Sequence, residues 1–153
     1  MHLRIIAVGR LREPYLAAAA ADFRKRLGPY HRLEEIEIRA ADGSRPDAAM
    51  ATEGEAILRA IAPNDHVWLL ERDGTQLDSV ELSQRLERAA VDGVSRITIV
   101  IAGTYGASPA LLERANFRWA LSKLTFLHEW ARAIVLEQLY RATKIAKDEP
   151  YHH

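Results

Sequence analysis

The stretch "RITIVIAGTYGASPALLERA", residues 96–115, begins as a strand, passes through a turn and ends as a helix. Its first part is a nearly continuous apolar run, which is typical of a strand buried on both faces of a parallel sheet. Ser108 as N-cap and Pro109 at the first helical position mark where the helix begins. The turn contains Gly103 and Gly106, and glycines at such a junction allow a close approach of the backbone to a phosphate, to a cofactor without phosphate, or to the next helix.

The same change from strand to helix recurs along the chain. Further strand-like runs are "LRIIAVG" (3–9), "LEEIEIR" (33–39) and "HVWLLE" (66–71), and a short fifth strand precedes the last helix. The run at 33–39 alternates charged and apolar residues, which is typical of an edge strand. Helical patterns fill the gaps at 12–27, 47–61, 78–93, 108–115 and 128–147. This order predicts an α/β fold with a mainly parallel sheet flanked by helices, in a single domain covering residues 1–153.

Composition restricts the class of protein. The chain has 153 residues, of which 48% are hydrophobic, and it has no cysteine. These values are typical of a soluble globular domain and exclude a disulfide framework and thiolate metal sites. No apolar run approaches the roughly 20 residues that a membrane span needs. We therefore expect a cytoplasmic protein without a membrane partner.

Charge is distributed unevenly although the net charge is zero. Residues 1–32 carry a net charge of +5, residues 33–115 carry −7 and residues 116–153 carry +2. If the two ends of the chain fold onto one face, they form a basic patch suited to a polyanion. Scatter of the charges over a solvated surface is the alternative.

Several enzyme classes lack their sequence signatures here. The chain has no P-loop and no GxGxxG fingerprint, since Gly103 and Gly106 are spaced GxxG. None of the six serines lies in a G-x-S-x-G elbow, and no two histidines have the H-x-x-x-H spacing of a helical zinc site. A Rossmann oxidoreductase, a serine hydrolase and a metal site are therefore disfavoured.

Ligands of open α/β sheets bind beyond the carboxyl ends of the strands, and three loops are expected there. They are "LERDGTQLD" (70–78), the glycine turn of the opening stretch, and "WALSKLTFLHEW" (119–130). The third is so apolar that it is either a buried connection or the lining of an apolar pocket, such as an adenine ring requires. The tail "KDEPYHH" at the end of the chain is either frayed or functional.

Together these pieces resemble the SPOUT-superfamily methyltransferases of the type that methylates N3 of a pseudouridine in 23S ribosomal RNA. The matching segments are "LRIIAVGRLREPYL", "EGEAIL", "LLERDGTQLDSVELSQRLE", "ITIVIAGTYGASPALLERA", "LSKLTFLHEWARAIVLEQLYRATKI" and "PYH", in the order of the family. The chain departs from the family pattern at Ala102, where a glycine is usual, and at Leu127, where a proline is usual.

The resemblance implies a SPOUT α/β fold whose C-terminal part, about residues 66–153, is threaded as a trefoil knot and binds S-adenosylmethionine. It also implies a homodimer whose active site takes residues from both chains, and no metal. By position, the cofactor-binding residues would be Leu70, Gly103, Ser122, Lys123, Leu124, Thr125, Phe126 and Leu127.

The implied substrate is a pseudouridine of the position 1915 type, in the loop of helix 69, within an assembled ribosome or large subunit. Since the imide N3 loses a proton as it attacks, a base or a cation is expected nearby. The candidates are His128, Arg132, Arg141, Tyr151 and His152, of which we favour His152 or Tyr151 beside the substrate and Arg141 against the uracil ring. A role for Tyr151 and His152 as mere caps of the cofactor pocket remains open.

Binding of ribosomal RNA is expected to be mainly electrostatic. The expected contacts are the basic C-terminal segment and five basic residues near the start of the chain. These five are Arg10, Arg12, Arg24, Lys25 and Arg26. Two alternatives stay open, a non-catalytic ribosome- or nucleotide-binding module on the same scaffold and a small-molecule α/β enzyme.

Overall fold

The computed structural model describes residues 1–43 and 45–153 and contains five strands and five helices in alternation. The strands are β1 (His2–Val8), β2 (Arg32–Ile38), β3 (His66–Gln76), β4 (Arg96–Ile101) and β5 (Phe117–Ala120). The helices are α1 (Pro14–Leu27), α2 (Pro46–Ala60), α3 (Ser79–Val91), α4 (Pro109–Arg114) and α5 (His128–Ala146). Among these described residues, no helix combines the length and the apolar character needed to cross a bilayer.

All five strands belong to one sheet in the order β2-β1-β4-β3-β5, and every neighbouring pair is parallel. The α/β fold with a parallel sheet is thus confirmed, and so is the edge position of the alternating strand β2. The predicted N-caps of α3 and α4 are confirmed as well. Asp78 and Glu81 form a reciprocal capping box at α3, and Ser108 caps α4 by accepting a hydrogen bond from the backbone N–H of Leu111. The trefoil knot stays a prediction.

Strand β3 is longer than the sequence predicts. The prediction of a loop over 70–78 is wrong, because β3 continues through Asp73 and Gly74 to Gln76. It pairs with Trp119 of β5 twice, first through Leu70 and later through Thr75, with a bulge between them. A Cβ at Gly74 would lie 2.7 Å from the carbonyl carbon of Arg118. The glycine therefore permits a close approach of strand β5, where the sequence indicates a turn.

The side chains of the central strands enter two separate cores. Leu3 and Ile5 of β1 pack with α1, α3 and α5 on one face of the sheet, whereas Ile6 and Val8 pack with α2 and α4 on the other. Strand β4 divides in the same way, with Ile97, Ile99 and Ile101 on the first face and Val100 on the second. Burial on both faces is the reason that these strands are almost continuously apolar.

Two charged residues of β2, Glu35 and Glu37, pair with arginines of the helices on one side of the sheet. Glu35 pairs with Arg24 of α1 and with Arg132 of α5, whose Nη2 is 3.5 Å from the carboxylate. Glu37 accepts a hydrogen bond of 2.7 Å from Nη1 of Arg132. Arg132 is only 6% exposed, so these two carboxylates compensate a buried charge. Arg132 thus packs against β2 and is not among the residues that line the cavity at the cofactor loops.

Helices α2 and α4 meet at a glycine. A Cβ at Gly54 would lie 2.4 Å from Oγ and 2.9 Å from Cβ of Ser108, the residue that caps α4. Since Gly54 is inside a helix and buried, its absence of a side chain decides how closely the two helices pack.

We expect Gly54→Ala to lower the stability by about 1–3 kcal/mol, because overpacking outweighs the better helix propensity of alanine. The double variant Gly54→Ala/Ser108→Gly should recover most of that loss, since glycine is a tolerated N-cap and removes the clash. Urea unfolding of the three variants tests this coupling. Equal stability of Gly54→Ala and the original chain would show that the contact is not restrictive.

His31 is held neutral between β2 and α5. Its Nε2 lies 2.8 Å from Oγ1 of Thr143, and that hydroxyl donates its own proton to the carbonyl of Leu139. Nε2 must therefore donate, which leaves Nδ1 as the site of protonation, and Nδ1 is buried without a partner. Burial lowers the pKa of His31 to about 4.

In the unfolded chain His31 binds a proton near pH 6.5, whereas in the folded chain it does not. The contribution of the neutral, buried His31 to the stability is therefore fully present above pH 6.5. It is lost as the pH falls from 6.5 to about 4. We expect His31→Gln to be less stable at pH 7 but to lose stability less steeply over this interval. Thermal melting at half-unit pH steps measures the slopes, with His153→Gln as the control at an exposed histidine. Parallel slopes for His31→Gln and the original chain would contradict the assignment.

Candidate functional site

A cavity of about 350 Å³ opens at the carboxyl edge of the sheet. It lies where β4 and β5 end and where β3 passes beyond its pairing with β4. Seven of the eight predicted cofactor residues line it: Leu70, Gly103, Ser122, Leu124, Thr125, Phe126 and Leu127. Lys123 is not part of the lining. Arg72 and His128 also line the cavity, although the family motifs did not mark them as cofactor residues.

Gly103 lines the cavity and at the same time faces its own chain. A Cβ there would lie 2.9 Å from Oε1 of Glu53 on α2 and 3.0 Å from Cγ1 of Val8 on β1. Any side chain at this position would therefore push the turn away from the sheet and into the cavity. Gly106 has a different reason for being glycine, since its φ is +83° and no atom lies within 4 Å of an added Cβ.

Glu53 braces the turn from behind. The residue is 4% exposed, and its Oε2 accepts a hydrogen bond of 3.0 Å from the backbone N–H of Ala41. Tyr105, in the same turn as Gly103, donates from its hydroxyl to the carbonyl of Gly43 at 3.3 Å. The floor of the cavity is thus connected to the segment that follows β2.

The two departures from the family pattern fit the backbone. Among the described residues, the only non-glycine with a positive φ is Asp148, so Ala102 adopts an ordinary conformation beside Gly103. Leu127 precedes α5 with a φ of −57°, which lies within the range that proline itself fixes. Ala102 and Leu127 therefore preserve the course of the chain around the cavity.

The apolar loop between β5 and α5 lines the cavity but is not buried. Leu124 is 72% exposed and Leu127 is 70% exposed. Phe126 and Trp130 are also exposed, and the ring of Trp130 contacts that of Tyr15 with 5.8 Å between centroids. Five large apolar side chains thus form an apolar rim beside the cavity, composed of Tyr15, Leu124, Phe126, Leu127 and Trp130.

The three favoured catalytic residues form one cluster. Arg141 Nη1 lies 3.2 Å from Nδ1 of His152, and its guanidinium stacks 4.7 Å from the centroid of the Tyr151 ring. Both Arg141 and the Tyr151 hydroxyl donate to Oε1 of Glu137, the latter at 3.0 Å. The ring of Tyr151 also packs edge-on against Tyr140 at 4.8 Å. The tail is therefore attached to α5 and not frayed.

This tail cluster, Arg141 with Tyr151 and His152, is remote from the cavity of its own chain. Helix α5 begins at the cavity with His128, and Arg141 follows 13 residues later, about 20 Å along the axis. Just beyond, Lys144 and Glu149 contact Tyr30, which precedes the first residue of β2 at the amino edge of the sheet. Of the predicted bases and cations, only His128 lies in the cavity of the same chain.

The protonation states of the cluster favour hydrogen bonding over base catalysis by tyrosine. Burial and the hydrogen bond to the Glu137 carboxylate raise the pKa of Tyr151 above its usual value. The hydrogen bond to the same carboxylate also raises the pKa of Arg141. At neutral pH, Tyr151 is therefore a phenol that donates, and Arg141 is a fixed cation.

The expected RNA-binding arginines are partly neutralised. Helices α1 and α5 pack together, so the two basic ends of the chain do lie side by side. However, Arg24 pairs with Glu35, and Arg26 pairs with Asp22 at 3.2 Å. Within residues 1–43 and 45–153, no group of three or more acidic or histidine side chains could hold a metal ion.

Comparison with known proteins identifies the family. A family model described as "Predicted SPOUT methyltransferase" matches residues 1–152. A protein of Gloeobacter violaceus named "Ribosomal RNA large subunit methyltransferase H" is 44% identical over 153 residues, covering 100% of this chain and 99% of its own. Proteins of the same name from Moorella thermoacetica and Desulfitobacterium hafniense strain DCB-2 are 42% and 39% identical, each covering 99% of both chains. The chain therefore belongs to the SPOUT family and is a methyltransferase.

Proposed function

We propose that this methyltransferase transfers a methyl group from S-adenosylmethionine to N3 of a pseudouridine in the helix 69 loop of 23S ribosomal RNA. The substrate is the assembled ribosome or its large subunit, the location is the cytoplasm, and the working form is a homodimer. The observation that carries the proposal is the cavity at the carboxyl edge of the sheet, lined by seven of the eight residues expected to hold the cofactor.

The lining of the cavity fits an adenosyl group. Leu70, Ile101 and Leu121 supply apolar surface for a ring, and the turns at 102–107 and 121–127 supply backbone N–H and C=O groups for its edge. Its volume of about 350 Å³ lies within the usual range for small-molecule sites. When bound there, the cofactor supplies an electrophilic methyl group on sulfur.

Methyl transfer from a sulfonium is an in-line displacement, so alignment of donor and acceptor accounts for much of the rate. The residues of this chain must also handle the imide proton at N3 of the base. Arg141 is suited to stabilise the negative charge that develops on the ring, and Tyr151 is suited to donate a hydrogen bond to it. His152, in contact with Arg141, is the side chain proposed to accept the proton.

The distance between the tail cluster and the cavity of the same chain supports a composite site. If Arg141, Tyr151 and His152 act at a cavity, the cavity belongs to a second copy. The apolar rim beside the cavity supports the same inference, because exposed apolar patches of this kind commonly mark interfaces. A homodimer would cover this rim and bring the tail of one protomer to the cavity of its partner.

Calorimetry with S-adenosylmethionine tests the cofactor site. We expect micromolar binding by the original chain and at least tenfold weaker binding by Gly103→Ala, whose methyl group would clash with Val8 and Glu53. The control, Ala102→Gly, restores the usual family residue and should bind at least as well as the original chain. Absence of binding by the original chain would favour the non-catalytic ribosome- or nucleotide-binding module.

Complementation between protomers tests the composite site. Deletion of residues 150–153 should abolish methylation while leaving the fold and cofactor binding intact. The truncated protein and Gly103→Ala are then mixed and allowed to exchange subunits. Each heterodimer should regain one intact site out of two. Since about half of the dimers are heterodimers at equal mixing, we expect about a quarter of the original activity. Full activity of the truncated protein, or no recovery on mixing, would contradict the proposal. Activity without ribosomes would indicate a small-molecule enzyme.

A further inference from the structure

A second cavity, of about 540 Å³, lies between the segment after β2 and one face of α2. Its walls are mostly small side chains, among them Ala48, Ala49, Thr52 and Ala56. Three arginines stand around it. Arg39 follows the end of β2, Arg45 immediately precedes α2, and Arg59 is in the last turn of that helix. Asp42 is the acidic residue in the lining, which leaves a net charge of +2.

Two of the three arginines, Arg45 and Arg59, mark the ends of a row along α2. Arg45, Ala49, Thr52, Ala56 and Arg59 recur at intervals of three or four residues, which places them on one face of α2. Arg45 and Arg59 are 14 residues apart, and the backbone between them spans about 21 Å. A single small anion cannot contact both ends, whereas a run of several phosphates along a nucleic-acid strand can.

The three arginines around the second cavity differ from many other arginines of the chain in that they have no carboxylate partner among the described residues. Arg4, Arg96 and Arg132 pair with carboxylates in the sheet region, and Arg26, Arg88 and Arg141 pair with carboxylates on their own helices. In the part of the chain that the structure describes, Arg39, Arg45 and Arg59 form no ion pair, and all three are exposed. Their charges are therefore available to a ligand without the breaking of an internal ion pair.

The second cavity adjoins the cofactor cavity through two contacts. Tyr105, from the turn that lines the first cavity, donates to the carbonyl of Gly43. Glu53 lies against the position of Gly103 on one side and accepts from the backbone of Ala41 on the other. Ala41 lines the second cavity, whose end at Arg39 and Arg45 is at the carboxyl edge of the sheet, where β2 ends and α2 begins. A strand that occupies the second cavity is therefore held close to the first.

We propose that Arg39, Arg45 and Arg59 form a binding site for the phosphate backbone of the substrate RNA, which holds the loop carrying the target nucleoside beside the cofactor cavity. This inference rests on the proposed function for the identity of the RNA. The exposed guanidinium groups favour a solvated polyanion that contacts several of them at once, and arginine is well suited to bidentate contact with phosphate.

The test compares two charge-matched variants of the full-length protein. Arg45→Gln/Arg59→Gln removes the two ends of the row, and Arg32→Gln/Arg88→Gln removes two exposed charges, one at the amino edge of the sheet and one in the last turn of α3. We expect both variants to fold, because none of the four arginines is buried. Melting curves and calorimetry with S-adenosylmethionine verify that fold and cofactor site are intact.

Binding is measured to two probes over a series of salt concentrations: large ribosomal subunits from a strain without the modification, and a protein-free 23S RNA fragment that includes helix 69. We expect Arg45→Gln/Arg59→Gln to bind both probes about tenfold more weakly and to reduce the slope of log K against log salt by about 1.4, or about 0.7 for each phosphate that an arginine no longer neutralises. Its methylation should show a raised KM for subunits and a kcat within twofold of the original.

Weaker binding to subunits alone would indicate an acidic ribosomal protein as the partner and would overturn the proposal. Equal effects of the two variants, or no effect of either, would overturn it as well. Because binding is measured without methyl transfer, a failure of the proposed chemistry is recognised separately, by absence of cofactor binding in the original chain.

Discussion

Burial of β1 and β4 on both faces is the constraint on which the rest of the structure depends. These two strands lie side by side at the centre of the sheet, and their alternate side chains join separate cores above and below it. Fully buried residues such as Ile5 and Ile99 serve one core, and Ile6 and Val100 serve the other. Since both faces must be covered, the connections between parallel strands are helices, and the carboxyl ends of the strands meet at one edge.

The cofactor cavity is a consequence of that edge. The turn after β4 is pressed onto β1 and α2, so closely that a Cβ at Gly103 would meet Val8 and Glu53. The turn consequently approaches its own chain with one side of the glycine and lines the cavity with the other. Glu53 and Tyr105 then extend this packing to the segment after β2, where the second cavity begins. The internal packing of one turn thus relates the proposed cofactor site to the proposed RNA site.

Helix α5 holds the cofactor cavity and the tail cluster at opposite ends of its length. Its first residue, His128, lines the cavity, whereas Arg141 holds the tail about 20 Å away. Glu137 fixes that arrangement by accepting from both Arg141 and Tyr151, which also keeps Tyr151 protonated. The rigidity of a helix prevents the tail from folding back onto the cavity of its own chain. This separation is the reason for proposing a composite site between two protomers, and the apolar rim is the surface proposed for the contact.

The sequence by itself determined the order of strands and helices, the edge position of β2, and the caps of α3 and α4, because periodicity and capping are local signals. It also indicated seven of the cavity residues, because the family motifs mark the loops. It did not determine contacts between distant segments. A turn at Gly74 proved to be a bulge packed on β5, and Arg132 proved to be the buried partner of Glu35 and Glu37. The sequence does not mark Arg59 as a site residue either, because it lies in a segment with a net negative charge. Only the tertiary structure decided these placements, because each depends on which elements become neighbours after the chain has folded.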